Sequence, residues 1–203
     1  MLWGRMEALP MDLAPSLLIS VPQMRDPNFD HSVVLVLEHN EHGSFGLVVN
    51  RETRYTLGEF CRSQEIEYRG VREAKVLCGG PVGPTQGFVL YGRPNDLVGE
   101  VAGREVVARE VWFGADLALL RQLAGQDRTP YRLLVGYAGW APGQLDAELA
   151  AGVWLPRPVD PALLFHTPTG EIWWRALADL GIEPGAIVGR PLSGNGPGDL
   201  SLN

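Results

Sequence analysis

The most polar cluster in the chain is Glu38-His39-Asn40-Glu41-His42, two carboxylates and two imidazoles directly after an apolar run. Side chains of these types can exchange protons near neutral pH or ligate a metal. If the preceding strand continues to His39, Glu38 and His39 point to opposite faces. A metal would then need further ligands, from His31 or Asp26. No metal is expected, and the cluster stands either as an acid/base pair or as polar groups that order a loop. A second candidate is Gly136-Tyr137-Ala138-Gly139-Trp140-Ala141-Pro142-Gly143-Gln144-Leu145. It reads as a strand running through glycines and a tryptophan into a helix whose first turn is Pro142-Gly143-Gln144. Free amides at such a helix start attract an anion, and Trp140 could stack a ring. The alternative is that the glycines permit close packing while Trp140 fills core. Gly79-Gly80-Pro81-Val82-Gly83-Pro84 could bring backbone amides near a phosphate, but it lacks the Lys-Ser/Thr of a P-loop and equally suits a tight turn. Nucleophile motifs are weaker. There is no GxSxG, Ser32 follows His31 without a third member, and Cys61 lies on an ordinary helical stretch. The residues expected to converge on one polar cleft are Glu38, His39, Asn40, Gly79, Gly80, Tyr137, Gly139, Trp140, Gly143 and Gln144.

Strands must carry these groups. Residues 16–21, the continuous run 33–37, and 45–49 read as strands, the last two forming an antiparallel hairpin across a Gly-bearing loop. Thr56 and Glu59 have capping-box spacing for a short helix. Residues 75–78, 87–91 and 131–137 follow as strands, with 106–111 a weaker one. Residues 153–155 and 162–165 read as short extended pieces. Helices are expected over 116–124, with 117, 119, 120 and 123 on one face, over 142–151, and over 171–180, with Leu180 on the buried side. Consecutive strands followed by mixed strands and helices indicate a single α+β domain over residues 14–188. Residues 1–13 read as an N-terminal extension and 189–203 as a flexible, Gly/Pro/Ser-rich tail.

Composition narrows the function classes. With 203 residues, 45% hydrophobic and 20% charged, the chain is globular rather than disordered. A formal net charge of −7 argues against binding nucleic acid by phosphate neutralisation, although Arg51, Arg54, Arg62, Arg69 and Arg72 could form a local basic patch. No helix bears a basic face of the helix-turn-helix kind. Cys61 and Cys78 lie far apart without zinc spacing, as expected for reduced thiols of a cytoplasmic protein. No apolar run is long enough to span a membrane.

Residues 17–51, 77–91 and 135–149, with Trp154 and the IWWRAL stretch beyond, together resemble the YqgE/AlgH family of bacterial proteins. The matching positions are Asp26, Pro27, Phe29, Ser32, Glu38, His39, Gly46, Asn50, Gly79, Gly80, Pro81, Gly87, Phe88, Gly136, Tyr137, Gly139, Trp140, Gly143 and Gln144. Glu52 stands where relatives commonly have proline, and Tyr91 where many have histidine, which weakens any role for an imidazole there. The resemblance implies a mixed, mostly antiparallel curved sheet or open barrel flanked by helices; no cofactor is expected. It implies no agreed reaction, and some members carry a transcriptional-regulator label. The leading expectation is a cytoplasmic binding or regulatory protein with one polar cleft, for an anionic small molecule or a protein partner, any effect on transcription being indirect. The alternative is a small hydrolase or transferase acting on an anionic small molecule.

Overall fold

Three apolar segments open the described chain and pair in sequence order, because each is buried on both faces. β1 (Ser16–Ser20), β2 (Val33–Asn40) and β3 (Gly43–Val48) form an antiparallel meander. Their side chains alternate between two cores: Leu17, Ile19, Val33 and Leu35 enter one, and Leu18, Val34 and Val36 the other. The structure is a computed structural model that describes residues 13–92, 105–108, 110–126 and 128–182. The expected extension, apart from Leu13, and the expected tail lie outside these residues.

β4 (Glu52–Thr56) runs into α1 (Leu57–Ser63), started by the reciprocal Thr56/Glu59 capping box. Then come β5 (Lys75–Cys78), β6 (Val82–Tyr91), β7 (Glu105–Ala108), β8 (Val111–Gly114) and α2 (Leu117–Ala124), whose N-cap is Asp116. The described residues end with β9 (Tyr131–Trp140), α3 (Gln144–Ala150), β10 (Trp154–Arg157), α4 (Pro161–His166) and, after one 3₁₀ turn, α5 (Ile172–Asp179). The strands form one sheet in the order β10-β1-β2-β3-β9-β6-β8-β7, with β4 joined through β5. Only the β5–β9 pairing is parallel, and the sheet does not close into a barrel. This is a single mixed α+β domain. On one face α4 and α5 pack through Leu163, Leu164, Trp173 and Leu177. On the other, α1 and α2 cover the β6–β9 half and α3 covers the β2–β3 half.

Four local expectations are corrected. Residues 162–165 are not extended but form α4, because Asp160 caps the amides of Ala162 and Leu163 and Pro161 opens the first turn. The single strand expected over 106–111 is two strands, β7 and β8, with Glu110 at φ 64° in the reversal between them. Strand β9 continues to Trp140, so α3 begins at Gln144 rather than Pro142. Leu117 and Leu180 are 42% and 40% exposed rather than core, since each sits at a helix end where the apolar stripe has turned outward. Cys61 is buried and Cys78 half-buried, both as free thiols, and burial pushes the Cys61 thiol up.

One cation ties α4 to the sheet. From β9, Arg132 donates through Nε to the Leu164 carbonyl, through Nη2 to the Thr167 carbonyl and through Nη1 to the Thr169 hydroxyl, each at 3.1 Å. These carbonyls belong to the C-terminal turn of α4, where the helix leaves acceptors unsatisfied and favours positive charge. Arg132→Leu should therefore lower the unfolding free energy by ~2–4 kcal/mol in urea titration. Arg132→Lys should recover only part of it, because an ammonium cannot span three acceptors in a fixed fork.

Candidate functional site

The β2–β3 hairpin and the end of β9 bring the first two motif stretches together. His39 on β2 and Trp140 on β9 are both register partners of Ser44 on β3. Two strand spacings separate them, about 10 Å. The His39 ring is only 16% exposed; its Nδ1 lies 2.8 Å from Ser44 Oγ and its Nε2 lies 3.4 Å from Asp146 Oδ1 on α3. Beside it, Glu148 of α3 collects three donors. Trp140 Nε1 (2.9 Å) and Trp154 Nε1 (2.7 Å) both donate to Glu148 Oε2, and Gln144 Nε2 donates to Oε1 at 2.9 Å. The Gln144 side-chain oxygen Oε1 accepts from the Ala141 backbone amide, closing the turn into α3. Phe29, from the Asp26-Pro27 loop, stacks on Trp140 and meets Trp154 edge-on. Asn40 Oδ1 accepts from the His42 amide across the hairpin turn, and Gly143 caps α3 in the left-handed region at φ 71°.

The remaining expected residues sit elsewhere. Glu38 pairs with Phe45, which pairs with Gly139, so these face the side opposite His39 and Ser44. Tyr137 also joins that side, in an aromatic cluster with Phe45 at 5.1 Å and Phe88 at 6.3 Å. Gly79 and Gly80 lie against the backbone of Gly136 and Tyr137, so close that a Cβ on Gly80 would be 2.2 Å from the Tyr137 carbonyl carbon. The sheet thus separates Glu38 and Tyr137 from His39, Trp140 and Gln144. His31 stands apart, against Asp30 at 2.6 Å and the Trp173 ring at 4.1 Å. In the arginine patch, Arg51 reaches back to the Pro27 and Asp30 carbonyls and Arg69 pairs with Glu67.

Sequence reading passed over two features. One is the set Ser44, Asp146 and Glu148 around the hairpin. The other is a cleft between α1, α2 and β6. It consists of a cavity of about 500 Å³ beside Tyr55, Glu59 and Pro84, and one of about 200 Å³ beside Thr85, Gly87 and Asp116, which meet at Phe60 and Val135. Along β6, Val82 pairs with Tyr137 and Gly87 with Val135, so residues 83–86 have no partner on β9 and bulge over the cleft. Glycine and proline inside an otherwise strand-like run were the available signal for this bulge. At the rim, hydrogen bonds from the Thr56 amide and hydroxyl hold the Glu59 carboxyl below its usual range.

The AlgH-like family model matches residues 17–185, nearly the whole described chain. This protein belongs to the AlgH-like family. A "UPF0301 protein" of Myxococcus xanthus is 41% identical over 179 residues, covering 87% of this chain and 96% of the relative. One from Xylella fastidiosa is 39% identical over 180 residues, 85% of this chain and 92% of the relative. The solution structure of the AlgH protein from Pseudomonas aeruginosa superposes with a TM-score of 0.68 at 32% identity, over 91% of this chain and 97% of that one. The crystal structure of protein DIP2367 from Corynebacterium diphtheriae, at 22% identity and TM-score 0.68 over 82% and 86%, shares the fold. Among the described residues of this AlgH-like chain, no helix is long and apolar enough to cross a membrane.

The Glu148 carboxylate is the centre of the α3 attachment. Glu148→Gln places an N–H donor against one of the three donors already there, so stability should fall by ~2–3 kcal/mol in denaturant unfolding. The two indole bonds should show coupling in a Trp140→Phe/Trp154→Phe double-mutant cycle.

Proposed function

We propose that this AlgH-like protein is a cytoplasmic binding and regulatory protein that acts by contact with a protein partner rather than by catalysis. The observation that carries this reading is the mutual saturation of the polar motif groups. Trp140, Trp154 and Gln144 are spent on Glu148, and Asn40 on its own turn. The GYAGW-APGQL stretch therefore serves as a brace between β9, α3 and β10. An anionic ligand at the start of α3 would meet the Asp146 and Glu148 carboxylates, which favours a protein partner over an anionic small molecule. Direct contact with nucleic acid is disfavoured by the net charge of −7 and by the engagement of Arg51 and Arg69 within the fold. Any effect on transcription would then run through that partner.

One observation favours a second reading, a small hydrolase. Ser44, His39 and Asp146 line up as hydroxyl, imidazole and carboxylate at 2.8 and 3.4 Å, the order in which a base activates a nucleophile. Treatment with a fluorophosphonate probe, followed by peptide mass spectrometry, separates the two. Under the binding reading Ser44 stays unmodified, and release of p-nitrophenol from p-nitrophenyl acetate is the same for wild type and Ser44→Ala. A covalent adduct on Ser44 that is lost in His39→Gln would make the protein an enzyme.

A further inference from the structure

The direction of α5 decides where the chain leaves the sheet. At the start of the helix Trp173 donates to the Ser20 carbonyl, at the end of β1. At its end Asp179 accepts from Arg157, the register partner of Leu17 near the beginning of β1. α5 therefore runs antiparallel to β1 and delivers Ile182, the last described residue, to the end of the sheet where β2 continues into Leu37 and Glu38. Leu37 and Ile182 pack against the same core. From there an aromatic surface extends across the neighbouring strands. Phe45 on β3 is the register partner of Glu38, and the Tyr137 ring of β9 lies 5.1 Å from it. Phe88 of β6 lies 5.7 Å from both Phe45 and Phe113 of β8. Phe88 is buried, but Phe45, Phe113 and Tyr137 are half-buried, because α5 lies over β1 and β2 and Arg132 anchors α4 at the opposite end of β9.

We infer that residues 186–190 of this same chain, Ala-Ile-Val-Gly-Arg, dock on this aromatic surface, with Ile187 and Val188 over Phe45 and Tyr137 and with Arg190 against Glu38. The docking is independent of the contact reading above. Reach permits it: five residues from Ile182 to Ile187 span at most ~17 Å, and β9 lies two strand spacings, about 10 Å, from β2. Composition selects the segment. Ala186-Ile187-Val188 is the one run of three apolar residues after Ile182, and half-buried aromatic rings gain by being covered with such side chains. Charge points the same way. Glu38 is exposed, and its carboxylate has no hydrogen bond or ion pair among the described residues. The cations on and beside α5 are already taken, Arg157 by Asp160 and Asp179 and Arg175 by Asp179. Arg190 is the one basic residue after Ile182, and Gly189 before it lets the backbone turn back toward β2.

The test is photo-cross-linking of the full chain carrying Tyr137→p-benzoylphenylalanine, with the adducts mapped by peptide mass spectrometry. Adducts should fall within residues 184–190, on protein that migrates as a single chain. In that background Ile187→Asp/Val188→Asp should cut their yield by about tenfold or more. Arg190→Glu should lower the yield about two- to fivefold, and adding Glu38→Arg should restore it. A second measurement needs no photoprobe and leaves the described core untouched. Ile187→Asp/Val188→Asp in the otherwise unaltered chain should raise the fluorescence of added anilinonaphthalene sulfonate severalfold, as the aromatic rings are uncovered. Adducts confined to other segments would overturn the docking, as would dye fluorescence equal to that of wild type. Adducts found only in cross-linked pairs of chains would overturn it too, by assigning the surface to a second copy. A yield in Arg190→Glu equal to that of the unaltered segment would overturn the pairing of Arg190 with Glu38.

Discussion

Within ten residues β9 has to hydrogen-bond to three strands, and much of the unusual sequence around it follows from that requirement. β3 pairs along Ala138–Trp140, β5 runs parallel along Leu134–Val135, and β6 runs antiparallel along most of the length. Two strands cannot share one edge of β9 unless it is relayed between them. The relay occurs at Gly136, at φ 73°, where the β5–β6 connection also crosses. Gly79 and Gly80 are without side chains because that connection lies directly on the β9 backbone: a Cβ on Gly79 would be 2.2 Å from the Gly136 carbonyl oxygen. Residues that resemble a phosphate-binding loop are thus fully accounted for by the approach of two backbones.

The second dependency is electrostatic. A carboxylate against two buried-edge indoles is a charge held by neutral donors, and its lowered solvation is offset because three N–H groups replace water. Since the donors come from β9, α3 and β10, the one group fixes three elements whose apolar contacts alone would allow sliding. Arg132 plays the complementary part on the opposite face, a cation held by α4 carbonyls and a threonine hydroxyl. The two faces of the sheet are pinned by opposite charges, each satisfied by hydrogen bonds rather than by an ion pair.

The legible parts of the fold were those in which one local signal suffices. The hairpin follows from two apolar runs and a short turn, and the Thr56/Glu59 box from spacing alone. α4 was not legible because Ala162–Phe165 is an apolar run too short for helix and strand periods to diverge, and the cap that decides it is a single Asp160. At the site, the meeting of His39 with Trp140 depends on residues 101 positions apart in sequence lying either side of Ser44, which no local pattern encodes. Glu148 was invisible for a related reason. An acid on a short helix looks solvated until its partners eight residues before and six after are folded onto it.

The glycines then divide by physical cause. Gly79, Gly80 and Gly136 are demanded by backbone proximity or φ, so their presence says that the fold is built and nothing about what it meets. Gly87 is demanded by neither. A strand interior ordinarily loses stability by keeping glycine there, since the position forgoes packing and adds unfolded-state freedom. That loss falls beside a bulge that leaves residues 83–86 without partners on β9, and under a rim carrying two capped carboxylates. Two separate departures from the most stable arrangement, Gly87 and the β6 bulge, meet at one cleft, whereas the polar motif at α3 is held by the hydrogen bonds on Glu148.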